Sequence, residues 1–218
     1  MARLYLVCGA MEDGFIEAAL RGGVDVVQLR LKDSADEEIV ATGRRFASLC
    51  AAHGTLFILN DRPDLVSEAL ADGVHVGQDD MPVARARELV GFQRLVGLST
   101  HTPEQVQAAG ALHAAGSIDY IGVGPVYDTP TKPARAAVGL ELVAYASAHA
   151  ALPFFAIGGI DEHRVGEVVA AGARRIAVVR ALVQAGDPRA SATRLRRALG
   201  RPAGARPTGR ETEPVGAA

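Results

Sequence analysis

Eight short apolar runs alternate with helical patterns along this chain, and that rhythm limits the folds open to it. The runs are Leu4–Gly9, Val24–Lys32, Thr55–Asn60, Gly73–Gly77, Arg94–Ser99, Tyr120–Pro125, Pro153–Gly158 and Arg175–Arg180. Helix-period patterns fill the gaps at Glu12–Arg21, Ala35–Ala52, Pro63–Leu70, Val83–Val90, Pro103–Ala115, Gly139–Ala150 and Glu162–Ala171. Two more, Ala181–Gln184 and Pro188–Leu199, follow the last run. Strands that are apolar throughout suit a parallel sheet covered on both faces. Strict alternation with helices predicts a closed α/β structure, a (β/α)8 TIM barrel in a single domain. A doubly wound open sheet is the competing architecture. Its dinucleotide fingerprint is missing, because Gly122-Val123-Gly124-Pro125 follows a strand but no third glycine opens a helix in register.

No linker-like stretch interrupts the pattern, so the barrel is expected to run over residues 1–199. The segment 200–218, rich in Gly, Pro, Ala and Arg, has too few apolar groups to offset its ordering entropy and reads as a disordered tail. Truncation after Leu199 is therefore expected to leave melting temperature and activity nearly unchanged. A fall of several degrees would show the tail docked on the barrel or on a second copy.

Composition narrows the partners. A formal net charge of −2 gives no reason to expect nucleic acid or an anionic membrane, and 5% aromatics without Trp offers no platform for stacking bases. No apolar run is long enough to span a bilayer, and the N-terminus enters a strand at once with no signal-peptide layout. Cys8 and Cys50 have no metal-ligand spacing and read as buried reduced thiols, which points to the cytoplasm.

In such a barrel, chemistry gathers on the loops after the strands. The third and fourth runs end at Asn60-Asp61 and at Gln78-Asp79-Asp80. Adjacent parallel strands would bring Asp61 and Asp80 together, a pair suited to a hard cation such as Mg²⁺. The alternative is that each carboxylate caps the helix after it. The second run carries Gln28, Arg30 and Lys32 at alternate positions, hence on one face. Two cations facing a barrel interior are costly unless an anion meets them; Lys32 alone could instead reach solvent. The fifth run ends Ser99-Thr100-His101-Thr102, where His101 could be a base or an ordinary hydrogen-bonded loop residue. His75, inside a strand, reads as structural. The long loop Gly122–Pro133 places Thr129, Thr131 and Lys132 between prolines, as phosphate donors or as part of a stiffened surface loop. The seventh run ends Gly158-Gly159, where backbone N–H groups can approach a phosphate.

Taken in order and with their spacing, QLRLK, NDRPDL, DGVHVGQDDMP, GLSTHTPEQ, YIGVGPVYDTPTKP and AIGGI resemble the thiamine phosphate synthase family from Leu4 to about Leu182. That resemblance implies a transferase joining a pyrimidine methyl diphosphate to a thiazole phosphate with release of pyrophosphate. It assigns Gln28, Arg30, Lys32 and Asn60 to the pyrimidine diphosphate, Asp61 and Asp80 to Mg²⁺, Ser99 to the pyrimidine and Lys132 to its diphosphate. Among these, Arg30, Lys32, Ser99 and Lys132 would carry the catalysis. Thr129, Thr131, Gly159 and the backbone at Val179-Arg180 fall to the thiazole phosphate. The family usually reads Val-Ser at the last position, where this chain has Val179-Arg180. Asp79 stands where a Glu is usual. Partners are then small molecules, without nucleic acid or membrane, and a homo-oligomer is compatible with this. Two other readings stay open: an isomerase of a thiazole phosphate, as in close barrel relatives of the synthase, and a phosphate-binding barrel without catalysis. Product formation from both substrates with Mg²⁺ separates the three.

Overall fold

The computed structural model describes residues 2–129 and 136–200. Its strands are β1 (Leu4–Cys8), β2 (Val26–Leu29), β3 (Leu56–Asn60), β4 (Gly73–Val76), β5 (Leu95–Thr100), β6 (Tyr120–Val123), β7 (Phe154–Ile157) and β8 (Ile176–Val178). Each pairs in parallel with its sequence neighbours, and β8 closes on β1. The helices are α1 (Asp13–Arg21), α2 (Asp36–Ala52), α3 (Val83–Val90), α4 (Pro103–Ala114), α5 (Gly139–His149), α6 (Val165–Ala170), α7 (Arg180–Val183) and α8 (Pro188–Leu199). The alternation thus closes into the (β/α)8 barrel that the apolar runs imply. No helix among the described residues is long and apolar enough to cross a membrane.

Alternate strand residues divide the core. Leu4, Leu6, Val27, Leu29, Phe57, Leu59, Val74 and their equivalents pack outward under the helices. Tyr5, Val7, Val26, Ile58, Tyr120, Phe155 and Ala177 pack into the barrel interior. Cys8 and Cys50 are free and buried in the outer layer, where burial pushes both thiols up to about 12. Local signals set several helix starts. Thr102 Oγ1 accepts the Gln105 N–H at 3.3 Å with Pro103 beginning α4, and Asp187 caps α8 through the Ala190 N–H at 2.9 Å.

Several boundaries differ from the sequence reading. The helical pattern at Pro63–Leu70 yields only a 3₁₀ turn at Pro63–Leu65, because the chain reverses at Leu70, with φ +57°, on its way into β4. The helix expected from Glu162 begins at Val165; Asp161 Oδ1 instead accepts the N–H groups of His163 and Arg164 at 2.9 and 3.0 Å. Strand β2 stops at Leu29 and β8 at Val178, so Arg30, Lys32 and Arg180 lie past the strand ends.

At the opposite end of the barrel a repeated clamp ties strand starts together. Asp25, Asp72 and Asp119, equally spaced along the chain, stand immediately before β2, β4 and β6. Each N–H donates at 2.8 Å to the carbonyl of Leu4, Phe57 or Val96. The N–H groups of those three residues donate back to the carboxylates at 3.0, 2.8 and 2.8 Å. The reciprocal pairs satisfy backbone groups that the ladder leaves without partners.

Candidate active site

The carboxyl ends of the strands surround a cavity of about 300 Å³. Gln28, Arg30 and Lys32 reach it from β2 and its loop, Asn60 and Asp61 from β3, Asp80 from the loop after β4 and Ser99 from β5. Thr129, Gly159, Val179 and Arg180 line it from the side of β6, β7 and β8. The fold thus brings together residues that the strand-end pattern singles out. Thr131 and Lys132 lie outside the described residues.

Asp61 is the most constrained of these groups. Its backbone sits in the left-handed region at φ +61°, which Asp and Asn tolerate better than most residues. Its N–H donates to the His75 carbonyl at 2.9 Å, which fixes it against β4. Asn60 Nδ2 donates to Asp61 Oδ2 at 2.5 Å, and Lys32 Nζ stands 3.6 Å from the same oxygen. Burial first, then hydrogen bonding to and the charge of Asp80, push the Asp61 carboxyl above its ordinary range, while Lys32 and Asn60 oppose this. Asp80 Oδ2 in turn accepts the Gly77 N–H at 2.8 Å. Neither carboxylate caps a helix: Arg62 stands at the start of the 3₁₀ turn and Pro82 at the start of α3.

Two carboxylates that crowd one another at a cavity wall form an all-oxygen donor set that a divalent cation would relieve. No group of three or more His, Cys, Asp or Glu side chains that could hold a metal occurs among the described residues. A hard cation that retains water and takes substrate oxygens needs no such group.

The far wall is built differently. Gly158 and Gly159 follow β7 with φ +105° and +65°. A Cβ on Gly159 would fall 2.7 Å from Tyr127 Cβ, so only glycine lets the two loops meet. Arg164 braces this corner: Nη1 donates to the Gly159 carbonyl at 3.0 Å and its guanidinium lies 4.7 Å from the centre of the Tyr127 ring. Tyr127 Oη donates to Glu167 at 2.8 Å. Arg180 opens α7 at the rim, exposed, and pairs with no carboxylate among the described residues.

Most of the cavity floor was not singled out from the sequence. Tyr5, His75, Tyr120 and Phe155 line it. Gln28, which is 4% exposed, donates its amide to Tyr5 Oη at 2.7 Å. Ser99 Oγ lies 2.9 Å from His75 Nε2, so His75 is part of the cavity wall as well as of the core. His101 also faces the cavity, with Nδ1 hydrogen-bonded to the Gly124 carbonyl. Alternation along β1, β4 and β6 could have flagged Tyr5, His75 and Tyr120 as inward-facing, since each shares a face with a glycine or small apolar residue.

Residues 4–182 match the family model described as thiamine monophosphate synthase. The chain belongs to that family. A thiamine-phosphate synthase of Mycobacterium marinum is 47% identical over 213 residues, covering 91% of this chain and 95% of its own length. One from Nostoc punctiforme is 51% identical over 189 residues, covering 86% of this chain, which spans only 53% of that longer relative. Among solved structures, a thiamine phosphate pyrophosphorylase from Pyrococcus furiosus superposes with a TM-score of 0.82 at 29% identity, covering 91% of this chain and 95% of its own. The matched family segment begins in β1 and ends in α7, so among the described residues it includes all of the cavity lining except Gln184.

Proposed function

We propose that this chain is a transferase that joins 4-amino-2-methyl-5-pyrimidinylmethyl diphosphate to 4-methyl-5-(2-phosphoethyl)thiazole, forming thiamine phosphate and releasing pyrophosphate. The observation that carries this reading is the division of one cavity into two anion-receptive walls. One wall holds the Asp61–Asp80 pair beside Arg30 and Lys32; the other is the Gly158-Gly159 corner with Arg180 at its rim. A diphosphate and a monophosphate can then approach a shared floor from opposite sides.

Asp61 and Asp80 would hold Mg²⁺, with Asn60 and Lys32 orienting the Asp61 carboxylate. Bound there, the cation would neutralise charge on the departing diphosphate. Arg30, Lys32 and Lys132 stabilise the same negative charge as the carbon–oxygen bond breaks. The electron-rich aminopyrimidine supports the positive carbon left behind, so no nucleophilic side chain is needed. The thiazole nitrogen then closes the new carbon–nitrogen bond. The barrel holds the two rings in line and excludes water, which would otherwise take the nitrogen's place. Thr129, Thr131, Gly159 and the backbone near Val179 would receive the thiazole phosphate, and Ser99 the pyrimidine. Buried free thiols at Cys8 and Cys50 are in keeping with a cytoplasmic protein.

EDTA is expected to stop product formation and added Mg²⁺ to restore it; full activity in metal-free buffer would remove the ion from the account. Arg180 gives a second check. Its guanidinium offers five donors in a fork that matches phosphate, where the family's usual serine offers one. Arg180→Ala is expected to raise KM for the thiazole phosphate about ten-fold and leave KM for the pyrimidine diphosphate unchanged. An unchanged thiazole phosphate KM would make the guanidinium a bystander.

A further inference from the structure

The barrel interior holds a chain of hydrogen bonds whose direction can be worked out. Gln28 Nε2 donates to Tyr5 Oη at 2.7 Å, and the Tyr5 and Tyr120 hydroxyls are 3.0 Å apart. Tyr120 Oη lies 3.3 Å from His75 Nδ1, and His75 Nε2 lies 2.9 Å from Ser99 Oγ. Gln28, Tyr5 and Tyr120 are 4%, 2% and 7% exposed, so their protons must be satisfied within the protein. The fold keeps space for the contact: a Cβ on Gly97 would fall 2.2 Å from Tyr120 Cζ and 2.5 Å from His75 Nδ1.

An amide NH₂ can only donate, so Tyr5 is the acceptor at the first link. Burial keeps both phenols protonated, pushing them well above their ordinary range. The Tyr5 proton has the Tyr120 oxygen as its acceptor among the described residues. Tyr120 must then donate onward to His75 Nδ1, which has to be the bare nitrogen. The ring proton sits on Nε2 and donates to Ser99 Oγ. The Ser99 proton is thereby turned away from His75 and toward the cavity. The reverse order would leave the Tyr5 proton buried with no acceptor, the costly outcome.

We infer that Gln28, Tyr5 and Tyr120 are positioning residues: they hold His75 as the neutral Nε2–H tautomer and commit the Ser99 hydroxyl proton to a ring nitrogen of an aminopyrimidine. The identity of that ligand rests on the transferase reading above; the tautomer does not.

Nitrogen NMR of the full chain carrying isotopically labelled histidine tests this, with His75→Asn identifying the signal. At neutral pH, with and without the pyrimidine methyl diphosphate, His75 is expected to carry its proton on Nε2 and a bare Nδ1. A proton on Nδ1, or an imidazolium, overturns the inference. Tyr120→Phe removes the donor to Nδ1, so His75 is expected to lose its single tautomer. KM for the pyrimidine diphosphate should then rise about ten-fold with that for the thiazole phosphate unchanged. A variant that keeps the Nε2–H tautomer and the wild-type KM also overturns it. If the wild-type protein makes no thiamine phosphate, the transferase reading fails, while the nitrogen signals still decide the tautomer.

Discussion

Asp61→Asn is expected to lower turnover about 100-fold or more, the scale on which metal ligands and their supports act, without lowering the melting temperature in metal-free buffer. Asparagine keeps an oxygen for the Asn60 amide and tolerates the left-handed backbone at φ +61°. It removes the charge that burial and Asp80 make costly. The sign follows from linkage. The folded carboxyl is raised above its unfolded value, so the folded state holds that proton more tightly, and stability is lost as pH rises through the raised pKa. At neutral pH without metal the ionised pair is therefore a burden that the amide relieves. Asp80→Asn is expected to behave similarly. Paired kinetic and calorimetric measurements check this; activity lost only in step with melting temperature would make the two carboxylates structural.

Asp119→Ala, by contrast, is expected to cost the fold far more stability than either of those amide substitutions. Arg87 is 7% exposed and donates to Asp119 Oδ2 at 2.6 Å, with further bonds to the carbonyls of Gly91 and Arg94 at 2.9 and 2.6 Å. Alanine would strand that buried guanidinium and also orphan the Val96 N–H, which donates to the same carboxylate at 2.8 Å. Breaking a buried pair from one side costs about 3 kcal/mol at the lower end of the measured range. The lower end applies because Asp119 is 38% exposed, so water can enter the vacated place. For a chain of this size the loss corresponds to roughly 6–12 °C in Tm. Thermal unfolding followed by circular dichroism reads it directly. KM for either substrate should not move, since the clamp lies at the end of the barrel opposite the cavity.

The parts legible in the sequence were those written in local patterns. Alternation of apolar runs with helical periods gave the closed barrel, and polar residues stacked at strand ends gave Asp61, Asp80, Arg30 and Lys32 as neighbours. The interior chain was hidden because its links join Tyr5, Gln28, His75, Ser99 and Tyr120, which come from five different strands. Only the register of the closed sheet puts them in contact. Tyr5 and Tyr120 in particular read as apolar strand residues, and nothing local shows that their hydroxyls meet. The aspartate clamps were hidden for a related reason: a single Asp before a strand looks like an ordinary turn residue until its partner strand is placed beside it. The short turn at Pro63–Leu65 has a helical pattern but must reverse at Leu70, so tertiary placement overrides propensity there.

The most direct test of the central claim is to mix the purified full chain with the aminopyrimidine methyl diphosphate, the thiazole phosphate and Mg²⁺, and to quantify both products. The account predicts thiamine phosphate and pyrophosphate in equal amounts, with far less pyrophosphate, and thiamine in place of its phosphate, when the thiazole phosphate is replaced by its dephosphorylated alcohol at the same concentration. Pyrophosphate without thiamine phosphate, or no reaction at all, would contradict it.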